Sequence, residues 1–182
     1  MSKALIIIDI QNDYFEGGKM ELHNPLKASE NAKKLLNKFR EESKPVVHVQ
    51  HIAPDAEAGF FIPDTEGIAI HPNVRPEKGE KIVTKHYPNA FRDTDLLDHL
   101  KSNDISELIF AGMMTQMCID SSVRAARDFG FECTVIGDAC ATRDIEINGK
   151  TVKAADVQNA FLGGLSFFYA ENTNTTDYLS DN

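Results

Sequence analysis

Two kinds of segment alternate along this chain: short continuous apolar runs, and longer stretches whose apolar residues recur every three or four positions. Ala4-Leu-Ile-Ile-Ile8 is the first run, with no polar residue inside it, and predicts a strand buried on both faces. Residues 26–39, with Leu35, Leu36 and Phe39 at helical spacing, predict a crossover helix, and Pro45-Val-Val-His-Val-Gln-His51 predicts the second strand. Lys81-Ile-Val-Thr84 reads as a third strand, residues 95–101 as a helix with Leu96, Leu97 and Leu100 on one face, and Glu107-Leu-Ile-Phe-Ala111 as a fourth strand. A helical segment then carries Ile119, Val123, Ala126 and Phe129 and stops at Gly130. Glu132-Cys-Thr-Val-Ile-Gly137 is the expected fifth strand, followed by a loop over 138–144. The spacing predicts a last helix over 151–165, a sixth strand at Phe167-Phe-Tyr-Ala170, and a polar tail from Asn172 onward that frays. Strands and helices alternate without repeats or low-complexity linkers. The expected fold class is therefore α/β, a parallel sheet with helices on both faces, in one domain over residues 1–182.

One segment breaks the alternation. Residues 52–81 are rich in proline and glycine and show little periodicity, and a loop of that length is expected to serve as a lid or binding loop. Phe60 and Phe61 lie within it, read first as anchors to the core or to a second subunit and second as pocket walls. The net charge of -9 over 182 residues, without a basic patch, argues against nucleic acid or an anionic membrane as partner and leaves a small molecule or another protein. No apolar stretch reaches the length of a membrane span, and the N-terminus runs into a strand instead of a signal peptide, so a cytoplasmic location is expected. Three cysteines without regular spacing make neither a disulfide framework nor a zinc ribbon.

Polar residues gather where a parallel sheet collects its ligand groups, at the carboxyl ends of strands. Asp9 follows the first strand and Lys85 the third. Cys118 follows the fourth, in the stretch Gly112-Met-Met-Thr-Gln-Met-Cys118 that opens the next helix. A thiol at a helix start meets unpaired N–H groups, which favour the thiolate and could also hold a substrate oxygen. Asp9 could take the thiol proton and return it to a leaving amine, with Lys85 holding the carboxylate. Each residue alone has a plainer role: a turn cap for Asp9, a surface lysine for Lys85, a packed thiol for Cys118. Their convergence makes the case. Cys133 alternates within a strand and is assigned to the core, whereas Cys140 follows the fifth strand and is the second candidate thiol.

In these features the sequence resembles the isochorismatase-like cysteine hydrolases, a superfamily that includes nicotinamidases and N-carbamoylsarcosine amidases. The resemblance rests on Asp9-Ile-Gln-Asn-Asp-Tyr14, on Lys85 ahead of Asn89-Ala-Phe91, on Gly112 to Cys118 with Ala125-Ala-Arg-Asp-Phe-Gly130, and on Val135-Ile-Gly-Asp-Ala139, all in order. It implies a six-stranded, Rossmann-like parallel sheet in a three-layer αβα sandwich, a catalytic triad of Asp9, Lys85 and Cys118, and a thioester intermediate. It also implies a cis peptide between Met113 and Met114, an oxyanion hole from the N–H groups of Met114 and Cys118, and homo-oligomers. Tyr14 and Phe91 resemble positions that line the substrate pocket in relatives, and Gln11, grouped with them as substrate-binding, is read as orienting backbone near Asp9. Nicotinamidases carry an Asp-x-His pair and a further His that bind a metal; here the second strand ends His48-Val-Gln-His51 without that Asp, so no metal and no other cofactor is expected, and His48, His51, His71 and His86 are read as structural or pocket residues. The retained cysteine argues against vinyl-ether cleavage of isochorismate and for hydrolysis of a C–N bond in a small amide, carbamoyl compound or lactam. Two other functions compete: a redox or thiol-reactive protein using Cys118, perhaps with Cys140, and a binding member without catalysis.

Overall fold

The computed structural model describes residues 2–181. Its strands and helices run β1 (Ser2–Ile8), α1 (Pro25–Glu41), β2 (Val46–His51), β3 (Lys81–Lys85), α2 (Leu96–Ser102), β4 (Ile105–Met113), α3 (Asp120–Asp128), β5 (Glu132–Ala141), β6 (Ile145–Ile147), β7 (Lys150–Val152), α4 (Ala154–Ser166), β8 (Glu171–Thr173) and α5 (Thr175–Asp181). Six strands pair in parallel in the order β3-β2-β1-β4-β5-β8. The chain builds outward one way from β1 through β2 to β3, and the other way from β4 through β5 to β8. The order reverses between β1 and β4, and in open parallel sheets the crevice that holds ligands lies at that reversal.

The unbroken apolar run of β1 follows from its place at the centre. Leu5 and Ile7 point to one face, against Leu35, Leu36 and Phe39 of α1 and Tyr178 of α5. Ala4, Ile6 and Ile8 point to the other, against Leu96 and Leu100 of α2, Val123 and Ala126 of α3, and Leu162 and Leu165 of α4. Two apolar faces at strand period, each covered by helices, give the three layers expected. Burying each leucine or phenylalanine of α1 contributes about 1.5–3 kcal/mol, enough to seat a helix whose exposed face is lysine-rich.

Gly112 holds the two central strands together near their carboxyl ends. Its φ is 141°, and a Cβ there would lie 2.0 Å from the carbonyl oxygen of Ile8. Gly112→Ala therefore sets a disfavoured backbone angle against an immovable backbone atom. We expect it to cost about 3–5 kcal/mol and to lower the melting temperature, followed by circular dichroism, by roughly 10 °C or more.

The C-terminal third departs from the sequence expectation in four places. β5 continues to Ala141, through residues expected to be loop. Residues 145–152 form the hairpin β6–β7 around Asn148-Gly149, where a helix was expected to begin at Thr151. The sixth strand is Glu171–Thr173, not Phe167–Ala170; Phe167 is 93% exposed on the turn after α4. The tail does not fray: Asp138 accepts hydrogen bonds from the N–H and hydroxyl of Thr175, and Tyr178 of α5 is buried. Among the described residues no helix is long and apolar enough to cross a membrane.

Candidate active site

β1 ends in a tight turn in which Asp9 adopts a φ of 51°, a conformation that aspartate tolerates better than most residues. Its N–H bonds to the carbonyl of Val49 and its own carbonyl accepts from Gln11, which fixes the carboxylate over the end of the sheet. Lys85 closes β3, and Cys118 sits in a single wide turn, Thr115–Ile119, that joins β4 to α3. The Lys85 Nζ lies 2.7 Å from Asp9 Oδ2 and 3.3 Å from Cys118 Sγ. The three residues singled out from the sequence thus meet at the reversal point of the sheet. They are dry: Asp9 is 0%, Lys85 1% and Cys118 5% exposed.

Burial sets the protonation states. It pushes the Cys118 thiol well above its ordinary value, and the adjacent Asp9 carboxylate adds to the rise, outweighing the Lys85 ammonium. The expectation of a thiol already lowered by its helix start is therefore reversed: at rest the sulfur keeps its proton. Burial likewise raises the Asp9 carboxyl, against the pull of Lys85. For Lys85, burial acts downward, but attraction to Asp9 and then Cys118 wins and the ammonium is held above 10.5. The two halves of the ion pair differ for a visible reason. Both carboxylate oxygens of Asp9 are buried without a hydrogen bond of good geometry, Oδ2 meeting the ammonium only as an ion pair at 2.7 Å, while the ammonium also has His51 Nδ1 and Cys118 Sγ in hydrogen-bond reach.

The sequence left His51 among four histidines read as structural or pocket residues, without singling it out. His51 Nδ1 lies 2.8 Å from Lys85 Nζ, and burial, then Lys85, then His86 lower its pKa to about 3. Its place at the end of the strand between Asp9 and Lys85 was the available signal. The other histidines lie elsewhere. His48 pairs with Glu80 beneath the sheet edge, His71 stacks on Phe15, and the His86 ring bonds the Ile52 carbonyl. Asp9, His51 and Cys118 each offer a donor atom within 4.8 Å of the others, a set that could hold a metal ion. The Lys85 ammonium fills the space among them, so a metal does not fit beside it.

The remaining expectations divide. Tyr14 is 1% exposed, flanked by Phe60 and Phe61, and its hydroxyl has no hydrogen-bond partner among the described residues. Burial above all, with the nearby Asp9 and Asp13 carboxyl groups, keeps that hydroxyl protonated. Gln11 is committed to backbone: its carbonyl accepts from the His51 N–H and both N–H groups of its amide donate, to the carbonyls of His51 and Ile68. It is a clasp on β2 and the long loop. Phe91 packs its ring on Phe129 and Phe131, just past the end of α3, in the same core cluster that includes Cys118. Phe61 anchors the loop, its N–H bonded to the Asp13 carboxylate at 2.6 Å, and at the same time closes the site over Tyr14 and His51. The Met113–Met114 peptide is cis, and the Met114 N–H has no acceptor among the described residues.

All three cysteines are free thiols. Cys133 and Cys140 are both raised by burial to about 12 and have neither a carboxylate nor an ammonium against the sulfur. Cys140 instead faces a cavity of about 240 Å³ between the starts of α1 and α4, which the triad does not line.

Comparison with known proteins places these features in context. The isochorismatase domain family matches residues 3–166. The chain is 49% identical to the uncharacterized isochorismatase family protein YddQ of Bacillus subtilis strain 168, over 98% of this chain and 99% of that one. It is 25% identical to the nicotinamidase of Escherichia coli K12, over 88% and 89% of the two chains. A crystal structure from Oleispira antarctica, assigned to the isochorismatase hydrolases, superposes with a TM-score of 0.95 at 48% identity, covering 98% of this chain and 96% of that one.

Proposed function

Since the chain belongs to the isochorismatase family of hydrolases, we propose that it is a cysteine hydrolase cleaving the C–N bond of a small, uncharged amide, carbamoyl compound or lactam. The observation that carries this reading is the buried contact of one thiol with one carboxylate and one ammonium. Cys118 Sγ attacks the substrate carbonyl carbon while its proton passes to Asp9. The N–H groups of Met114 and Cys118 hold the oxygen that becomes negative. Asp9 gives the proton to the departing amine, which leaves a thioester on Cys118. A water molecule, deprotonated by Asp9, then attacks the thioester and releases the acid, and the sulfur recovers its proton from Asp9.

Charge supports an uncharged substrate. The ammonium of Lys85 already has Asp9, His51 and Cys118 around it, so no free cation waits for a substrate carboxylate. What the cluster leaves open is neutral: the hydroxyl of Tyr14 among aromatic rings. The test is ammonia or amine release from a panel of primary carboxamides, carbamoyl compounds and lactams, run with and without a chelator, with mass spectrometry of quenched reactions. We expect release that the chelator does not reduce, together with an acyl adduct on the Cys118 peptide. Release that chelation abolishes, or turnover without any Cys118 adduct under rapid quenching, would overturn the reading.

A further inference from the structure

Lys85 and Asp9 stand two strands apart, roughly 10 Å at ordinary sheet spacing, so the lysine side chain must cross the end of β2 to reach the carboxylate. The residue it crosses is His51, its own register partner in the sheet. An ammonium only donates, so His51 Nδ1, 2.8 Å from Lys85 Nζ, must be an acceptor and the ring proton must sit on Nε2. The ring is held from three sides. Gln11 bonds both the N–H and the carbonyl of His51, at 2.7 and 2.8 Å; Phe61 packs on it; and Lys85 lies against Nδ1.

We propose that His51 is a positioning residue for the nucleophile, an unprotonated acceptor that takes an N–H of Lys85 and so fixes the ammonium between Asp9 and Cys118. The assignment builds on Cys118 as nucleophile but not on any substrate. Without the ring, one buried N–H of Lys85 has no acceptor, the ammonium loses its fixed direction, and the thiolate of Cys118 loses its nearest positive charge. The charged and titratable groups around this point are Asp9 from β1, Lys85 and then His86 from β3, Tyr14 from the turn after β1, and Cys118 itself. His51 stays neutral across the working range because burial, and then the Lys85 ammonium, oppose its protonation.

The test needs no substrate: the rate at which iodoacetamide alkylates Cys118 is followed against pH by peptide mass spectrometry, in the native protein, His51→Leu and His51→Asn. The asparagine carbonyl can occupy the place of Nδ1; leucine offers no acceptor. We expect His51→Leu to slow alkylation of Cys118 about tenfold at each pH up to mild alkali, the loss that a one-unit rise of the thiol gives, and His51→Asn to stay near the native profile. A native profile in His51→Leu, or the same slowing in both variants, overturns the proposal. Alkylation of buried Cys133 reports unfolding. If leucine opens the fold, the smaller His51→Val takes its place as the variant without an acceptor, a slowed alkylation supporting the assignment and a native rate sinking it. An inert amide panel alongside the expected profiles would reject the substrate class and leave this assignment standing.

Discussion

Cys118→Ser is expected to lower turnover by about 10⁴-fold or more on any amide that the native protein cleaves, with the fold intact. The change removes the one sulfur that touches both Asp9 and Lys85, and puts in its place a hydroxyl far less willing to lose its proton. Steady-state amine release with matched thermal unfolding checks it. Cys140→Ser is the companion, expected within about twofold of native, since its sulfur lies outside the triad beside another cavity. A serine variant at 118 that kept a tenth of native activity would move the nucleophile elsewhere in the molecule.

Asp9→Asn should cost about 10²–10⁴-fold in turnover, because an amide cannot take the proton that burial keeps on Cys118. The native pH profile carries the same information. Asp9 must be ionised to act as base, so activity falls as pH drops through its pKa, and burial places that pKa above the ordinary 3.8. The acid limb should therefore lie higher than for an exposed aspartate and be missing from whatever residual activity Asp9→Asn retains. Stability runs the other way. A carboxyl raised in the fold stabilises it below pH 3.8 and gives that up as pH rises through the raised value, so ionised Asp9 is a burden at neutral pH. Lys85, raised above 10.5, contributes stability below that pH which is lost only in strong alkali. An acid limb at the ordinary value, unchanged by Asp9→Asn, would assign the proton transfers to another group.

The central sheet and the meeting of Asp9, Lys85 and Cys118 were legible because both follow from rules that act along the chain. A strand buried on two faces must be apolar throughout, as residues 4–8 and 108–111 are, and polar residues at the ends of such strands stand out. The C-terminal third was harder because its elements are small and polar. β8 has only three residues, Glu171, Asn172 and Thr173, and pairs through its backbone, so no side-chain pattern announces it. The hairpin did announce itself: Asn148-Gly149 between alternating Ile145, Ile147 and Val152 is a strong turn signal, and both turn residues have positive φ. The nearby helical spacing obscured it. Phe167 to Ala170 misled in the opposite sense, with strand-forming side chains placed on a turn. At the site, Gln11, His51 and Phe91 depended on tertiary neighbours. Gln11 and His51 are joined across 40 positions of sequence, and nothing local says that one grips the backbone of the other.

The ammonium that completes the site is carried by β3, which pairs only with β2 and lies at the open margin of the sheet. Margins of a sheet loosen first, through local openings far smaller in free energy than global unfolding. A brief opening of β3 would swing Lys85 away while β1 and β4, with Asp9 and Cys118, stayed packed at the centre. For the proposed hydrolase, activity is thus tied to the endurance of a strand at the sheet's edge, and heat or denaturant should silence it while most of the fold persists.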